Sequence, residues 1–142
     1  MAAPKFRETY NTGRGGSMAL KTGTANTTAA EVIAAPGSGK AIRVARVTLS
    51  AAGDPASTSD NVHNLITLAD GTTNKMGWVY PGTDISVSGL AIPLNVDTGP
   101  LPAGGWRLTA NTALNIDFAA TDANLDYAVT VFYDVVPSTG QF

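Results

Sequence analysis

The chain has no cysteine and a single histidine, His63. Without cysteine there are no disulfides, no thiolate nucleophiles and no thiolate metal sites. One histidine with no cysteine also excludes the usual zinc ligand sets. A Ser-His-Asp device would have to use His63, which opens a strand-like run with no nucleophile elbow nearby. Glutamate is confined to Glu8 and Glu31, so glycosidase chemistry would have to lean on aspartate. No stretch approaches the roughly 18 consecutive apolar residues of a membrane span. The opening MAAPKFRETYNTGRGG lacks the apolar run of a signal peptide, which points to maturation in a cytosol. Helix-period windows of useful length are missing as well.

What is present suits one all-β domain. At 142 residues the chain is long enough for a sizeable core, and 44% hydrophobic with 14% charged residues is the wrong balance for disorder. The net charge of −2 is unevenly spread: residues 1–46 carry seven bases against Glu8 and Glu31, a net of +5, and the remainder is −7. Such asymmetry fits a basic end that meets an acidic partner surface or an acidic neighbour of the same kind. Nucleic acid is disfavoured as a partner, because the bases are sparse and have few interleaved aromatics.

Residues 1–26 hold no sustained period and are punctuated by Gly13, Gly15, Gly16 and Gly23. They read as an extended N-terminal arm that orders against a partner, with a disordered tail as the alternative. Residues 27–142 read as a single sandwich domain. TAAEVIAA (28–35) is a first strand, stopped by PGSG. In KAIRVARVTLSA (40–51), Ile42 and Val44 share one face, and Ala45, Val47 and Leu49 share the other. That phase slip is what a β-bulge produces. VHNLITLA (62–69) closes at the turn signal Asp70-Gly71, and KMGWVY (75–80) ends at Pro81-Gly82. DISVSGLAIPLNV (84–96) is broken by Gly89 and carries Pro93, which places it at an edge or a bulge. WRLTANTALNIDF (106–118) reads as a hairpin. LDYAVTVFYDVV (125–136) aligns Leu125, Tyr127, Val129, Val131, Tyr133 and Val135 on one face, with Phe132 on the other. About eight short strands separated by turns predict a two-sheet antiparallel β-sandwich, jelly-roll-like, with an immunoglobulin-like sandwich as fallback.

Motifs for chemistry are weak. PGSGKA (36–41) lacks a P-loop's first glycine and its Ser/Thr, where Ala34 and Ala41 stand, and it reads as a β-turn. Asp54 with Asp60, and Asp122 with Asp126, match no calcium-loop spacing and suit turn chemistry better. Trp78, Tyr80 and Trp106 read as core or interface before they read as a sugar-stacking platform. No enzyme, cofactor or metal site is expected.

PLPAGGWRLTANTALNIDF (100–118), followed by YAVTVFYDVV, resembles the small β-sandwich decoration, or cement, proteins that coat the heads of tailed bacteriophages. The likeness lies in a Pro-rich turn into a Gly-Trp-x-Leu strand, a Thr/Asn hairpin and a closing aromatic/Val strand, and in the cysteine-free, Thr/Ala/Gly-rich texture of residues 28–136. The resemblance implies a non-enzymatic virion protein on the capsid exterior, assembled in the host cytoplasm. It would bridge capsomers of the major capsid protein and act as a homodimer or homotrimer, with no membrane or nucleic-acid partner. The candidate partner-binding residues are Lys5, Arg7, Arg14 and Lys21 of the arm, and Phe132. The alternative is a tail or fibre β-module that binds host-surface carbohydrate.

Overall fold

The two longest alternating runs of the sequence become hydrogen-bonded neighbours at the centre of one sheet. The structure is a computed structural model and describes residues 16–53, 64–80 and 93–139. In chain order its strands are β1 (Ser17–Ala25), β2 (Ala29–Ile33), β3 (Lys40–Gly53), β4 (Asn64–Asp70), β5 (Thr73–Tyr80), β6 (Leu94–Asp97), β7 (Trp106–Arg107), β8 (Leu114–Phe118) and β9 (Asp122–Pro137). Among the described residues the only helical element is a single 3-10 turn, Pro102–Gly104. Sheet A has the order β1-β9-β3-β6, with β7 also on β3, and sheet B has the order β2-β8-β4-β5. All the pairings are antiparallel.

The core lies between the two sheets because each contributes one apolar row. On β9 the inward row is Leu125, Tyr127, Val129 and Val131; on β3 it is Ile42, Val44, Val47, Leu49 and Ala51. The row on β3 changes phase because the β3–β9 register shifts between Val44 and Arg46, leaving Ala45 without a partner. This bulge is the one the phase slip predicts, and it returns Val47 and Leu49 to the face of Ile42 and Val44. Sheet B supplies Ile66, Leu68, Tyr80, Leu114, Ile116 and Phe118. Phe118 of sheet B meets Tyr127 of sheet A with ring centroids 5.0 Å apart, tilted by 52°. Each fully buried Val, Leu or Ile of these rows contributes about 1.5–3 kcal/mol through apolar burial, opposed by the entropy of ordering the chain.

The turn chemistry matches the residues that need it. Asp70 pairs with Thr73 across Gly71 and Thr72, and Gly71 has φ +62°, the arrangement of a type II′ hairpin. Gly105 has φ +107°, and a Cβ there would lie 2.4 Å from the carbonyl oxygen of Val44, so only glycine lets β7 approach β3. Lys40 N–H donates to the Gly37 carbonyl, so PGSGKA forms a turn between β2 and β3.

Two expectations are corrected. Residues 17–25 are not an arm beside the fold; they are β1, paired with β9 from Ser17↔Tyr133 to Ala25↔Asp122. The remaining arm residues up to 15 lie outside the described residues. Residues 106–118 do not form a hairpin: β7 pairs with β3 in sheet A, and β8 pairs with β2 and β4 in sheet B. Between them Leu108 N–H donates to the Ile42 carbonyl, and Asn111, at φ +50°, donates from its N–H to the Lys40 carbonyl. The Asn111 side chain also accepts from Gly37 N–H, so the segment crosses from one sheet to the other pinned to the β2–β3 turn. The proposed strand 84–96 is described only from Pro93 onward, where Leu94–Asp97 forms the edge strand β6.

Candidate partner-binding surface

The outward face of sheet A follows from the same alternation that builds the core. Every second residue of β1, β9 and β3 that does not point inward is aligned by the ladder into a cross-strand row. One row joins Met18, Phe132 and Arg46; the next joins Leu20, Thr130, Thr48 and Asp97. Met18 and Leu20 are each 64% exposed. Phe132 is half-buried between Met18 and Arg46, whose guanidinium carbon lies 5.8 Å from the ring centroid. Arg46 is itself held by Asp97, with Nε–Oδ1 at 3.0 Å and Nη2–Oδ2 at 2.5 Å. The guanidinium, with help from the Gly99 N–H, holds the Asp97 carboxyl well below its ordinary range, at about 2. Arg46 is raised in turn, first by its hydrogen bond to Asp97. A second two-point pair, Arg43 with Asp134, closes the neighbouring row and is largely buried.

The face is thus organised in two zones. At the β1 edge it is apolar, with Met18, Leu20 and Phe132. Towards β6 it becomes a shallow trough of about 370 Å³ whose surface is mostly apolar, lined by Ala52, Pro93 and Ala128 with Ser50, Asn95 and Asp126 as its polar groups. The trough exists because β3 and β9 carry small side chains on that stretch of their outer face.

Of the candidate residues named from sequence, Lys5, Arg7 and Arg14 lie outside the described residues. Phe132 sits on the outer face of sheet A as its phase implied. Lys21 does not join it. Lys21 pairs with the fully buried Val129, so it lies on the core side of β1, half-buried at the rim. Sequence reading missed Met18 and Leu20, whose alternation with Ala19 and Lys21 is short and inverted relative to a core strand. Asp54, Asp60 and His63 lie outside the described residues. Asp122 is buried and its carboxylate accepts from Asn124 N–H, the turn role expected of it, while Asp126 is exposed. Among the described residues no group of three His, Cys, Asp or Glu is placed to hold a metal ion. Tyr80 is fully buried and accepts from Gly53 N–H, and Trp78 and Trp106 pack against the core. These three aromatics therefore belong to the body of the fold.

Sheet B presents a smaller outward apolar pair, Leu65 opposite Val79, 42% and 53% exposed. Near it on β8, Asp117 has one carboxylate oxygen buried without a hydrogen-bond partner among the described residues, and burial raises its pKa. Comparison with known proteins finds no match: no family model, no curated protein and no solved structure is detectably similar to the chain.

Proposed function

We propose that the chain is a structural virion protein that binds the outer surface of an assembled phage capsid and stabilises it by bridging capsomers, associating with itself as a homodimer or homotrimer. The observation that carries this reading is the apolar edge of sheet A. Met18 and Leu20 are exposed beside Phe132, and the basic segment with Lys5, Arg7 and Arg14 enters the fold at that same strand. Scattered exposed apolar residues are ordinary, but a contiguous apolar patch at the root of a basic segment suits a protein surface. The strand order supports the finer fold assignment. With the two-residue β7 set aside, each sheet holds four strands and every connection except β4–β5 crosses between the sheets, which we read as a jelly roll. A body cross-linked by such ladders resists deformation, as a shell clamp must.

The carbohydrate-binding alternative rests on the trough, where Ser50, Asn95 and Asp126 offer hydrogen-bonding groups. It has lost its proposed aromatic platform to the core.

The test mixes purified protein with undecorated shells and with a glycan panel. Removal of residues 1–15 should weaken shell binding several-fold and flatten its salt dependence, because three bases and one acid leave with the segment. Removal of residues 1–26 would take β1 as well and confound the result. Unchanged shell binding at every salt concentration after the shorter cut, or glycan binding in place of shell binding, would sink the proposal.

A further inference from the structure

Among the described residues, the free edges of the two sheets are unequal. β2 is five residues long, with a register shift between Glu31 and Ile33. β5 pairs with β4 through a register shift that leaves Lys75 bulged out. β6 is four residues long, and β7 two. Each of these edges is protected by shortness, a bulge or a charge. β1 differs: it runs nine residues and keeps an unbroken antiparallel register with β9 from Ser17 to Thr24. Among the described residues no strand lies on its other side. An unbroken ladder on one side leaves an equally regular row of N–H and C=O groups on the other. β1 contains no proline and no acid, and its single charge is Lys21.

Lys21 sits at the centre of the strand, on the core side of the rim, and no ion pair reaches it among the described residues. If two copies paired edge to edge about a two-fold axis in the register that uses all of β1, Lys21 would face its own counterpart. Like charges directly opposite destabilise a strand pair, and an inward-pointing lysine is a recognised guard against such pairing. The same ammonium group favours a strand that brings a carboxylate to that position.

We propose that the free edge of β1 accepts an extended strand from a different protein, and that Lys21 selects a strand with Glu or Asp at the facing position. Backbone hydrogen bonds along the edge hold the strand, Met18 and Leu20 cover its outward apolar side chains, and Lys21 sets register and charge. The inference deepens the shell-binding reading by naming the partner's chemistry. Its test needs no shell, so its failure would leave binding through residues 1–15 standing.

The probes are two nine-residue peptides of alternating Thr and Val, one with a central Glu and one with a central Lys. Binding is read by fluorescence anisotropy, and amide exchange reports the β1 N–H groups that do not face β9. The protein should bind the Glu peptide roughly fivefold more tightly than the Lys peptide, the scale of a cross-strand charge pair, and should protect the outward-edge amides. Lys21→Glu should invert the preference and Lys21→Gln should abolish it, with circular dichroism confirming the fold of each variant. Lys75→Glu on the β5 edge should change neither affinity. Failure of both peptides to bind, equal affinities, or a preference indifferent to residue 21 would overturn the inference. So would protection of the β1 edge by self-association without peptide, which would make a second copy the occupant.

Discussion

β9 and β1 are hydrogen-bonded neighbours in one sheet, yet their side chains are distributed in opposite ways. β9 turns Leu125, Val129 and Val131 inward, all fully buried, and leaves Asp126, Ala128 and Thr130 outside. β1 turns Ala19, Lys21 and Gly23 inward and leaves Met18 and Leu20 outside. Gly23 lies beside the ring of Tyr127, which a Cβ at that position would meet at 3.5 Å, an ordinary van der Waals contact. A strand that keeps its largest apolar groups away from the core contributes mainly its ladder to stability. Its outward apolar groups are available to a partner instead. On the proposed reading, the contrast separates residues that hold the fold from residues offered to a partner, although both kinds are apolar and alternate with the same period.

The largest expected effect falls on β9. Val131→Asp places a carboxylate in the fully buried row opposite Val47, a change of several kcal/mol against a total stability of about 5–15 kcal/mol. The variant should be insoluble or melt far below the parent in a thermal scan. Normal melting would mean that the inward and outward faces of β9 have been exchanged.

A much smaller effect distinguishes the two outer faces by pH. Asp97 on sheet A has its pKa held down by Arg46, so its contribution to stability is present above the ordinary carboxylate range and is lost as the pH falls towards about 2. Because the pair is exposed, that loss should be slight. Asp117 on sheet B is shifted the other way by burial, so the folded state is penalised at neutral pH and relieved as the pH falls through its raised pKa. Asp117→Asn should therefore raise the melting temperature slightly at neutral pH and lose that advantage in acid. A lower melting temperature for this variant at neutral pH would contradict the assignment of its buried oxygen.

The strands that supply the core were legible because a buried row leaves a periodic trace. Even the bulge at Ala45 announced itself as a phase slip in residues 40–51. β1 was not legible because its inward row consists of small residues and one lysine, which leaves no apolar alternation of the usual sense. The segment 106–118 looked like a hairpin because local pattern cannot tell which sheet an arm will join. That choice is made by long-range bonds, Leu108 to Ile42 and Asn111 to Lys40. For the candidate surface, Phe132 was readable from its phase on a long strand. Met18 and Leu20 acquire their meaning only once β1 is paired with β9 and the two residues come to lie beside Phe132.

The central claim is that the outward apolar groups of β1 serve a partner while the inward row of β9 serves the fold. The most direct measurement is a paired one on the double variant Met18→Ser/Leu20→Ser: its thermal melting, and its binding to undecorated shells. Both side chains are largely exposed, so the melting temperature should stay close to that of the parent while shell binding falls about tenfold or more, the scale of losing a few interface contacts. A variant that melts much earlier, or one that binds shells as well as the parent, would contradict the account.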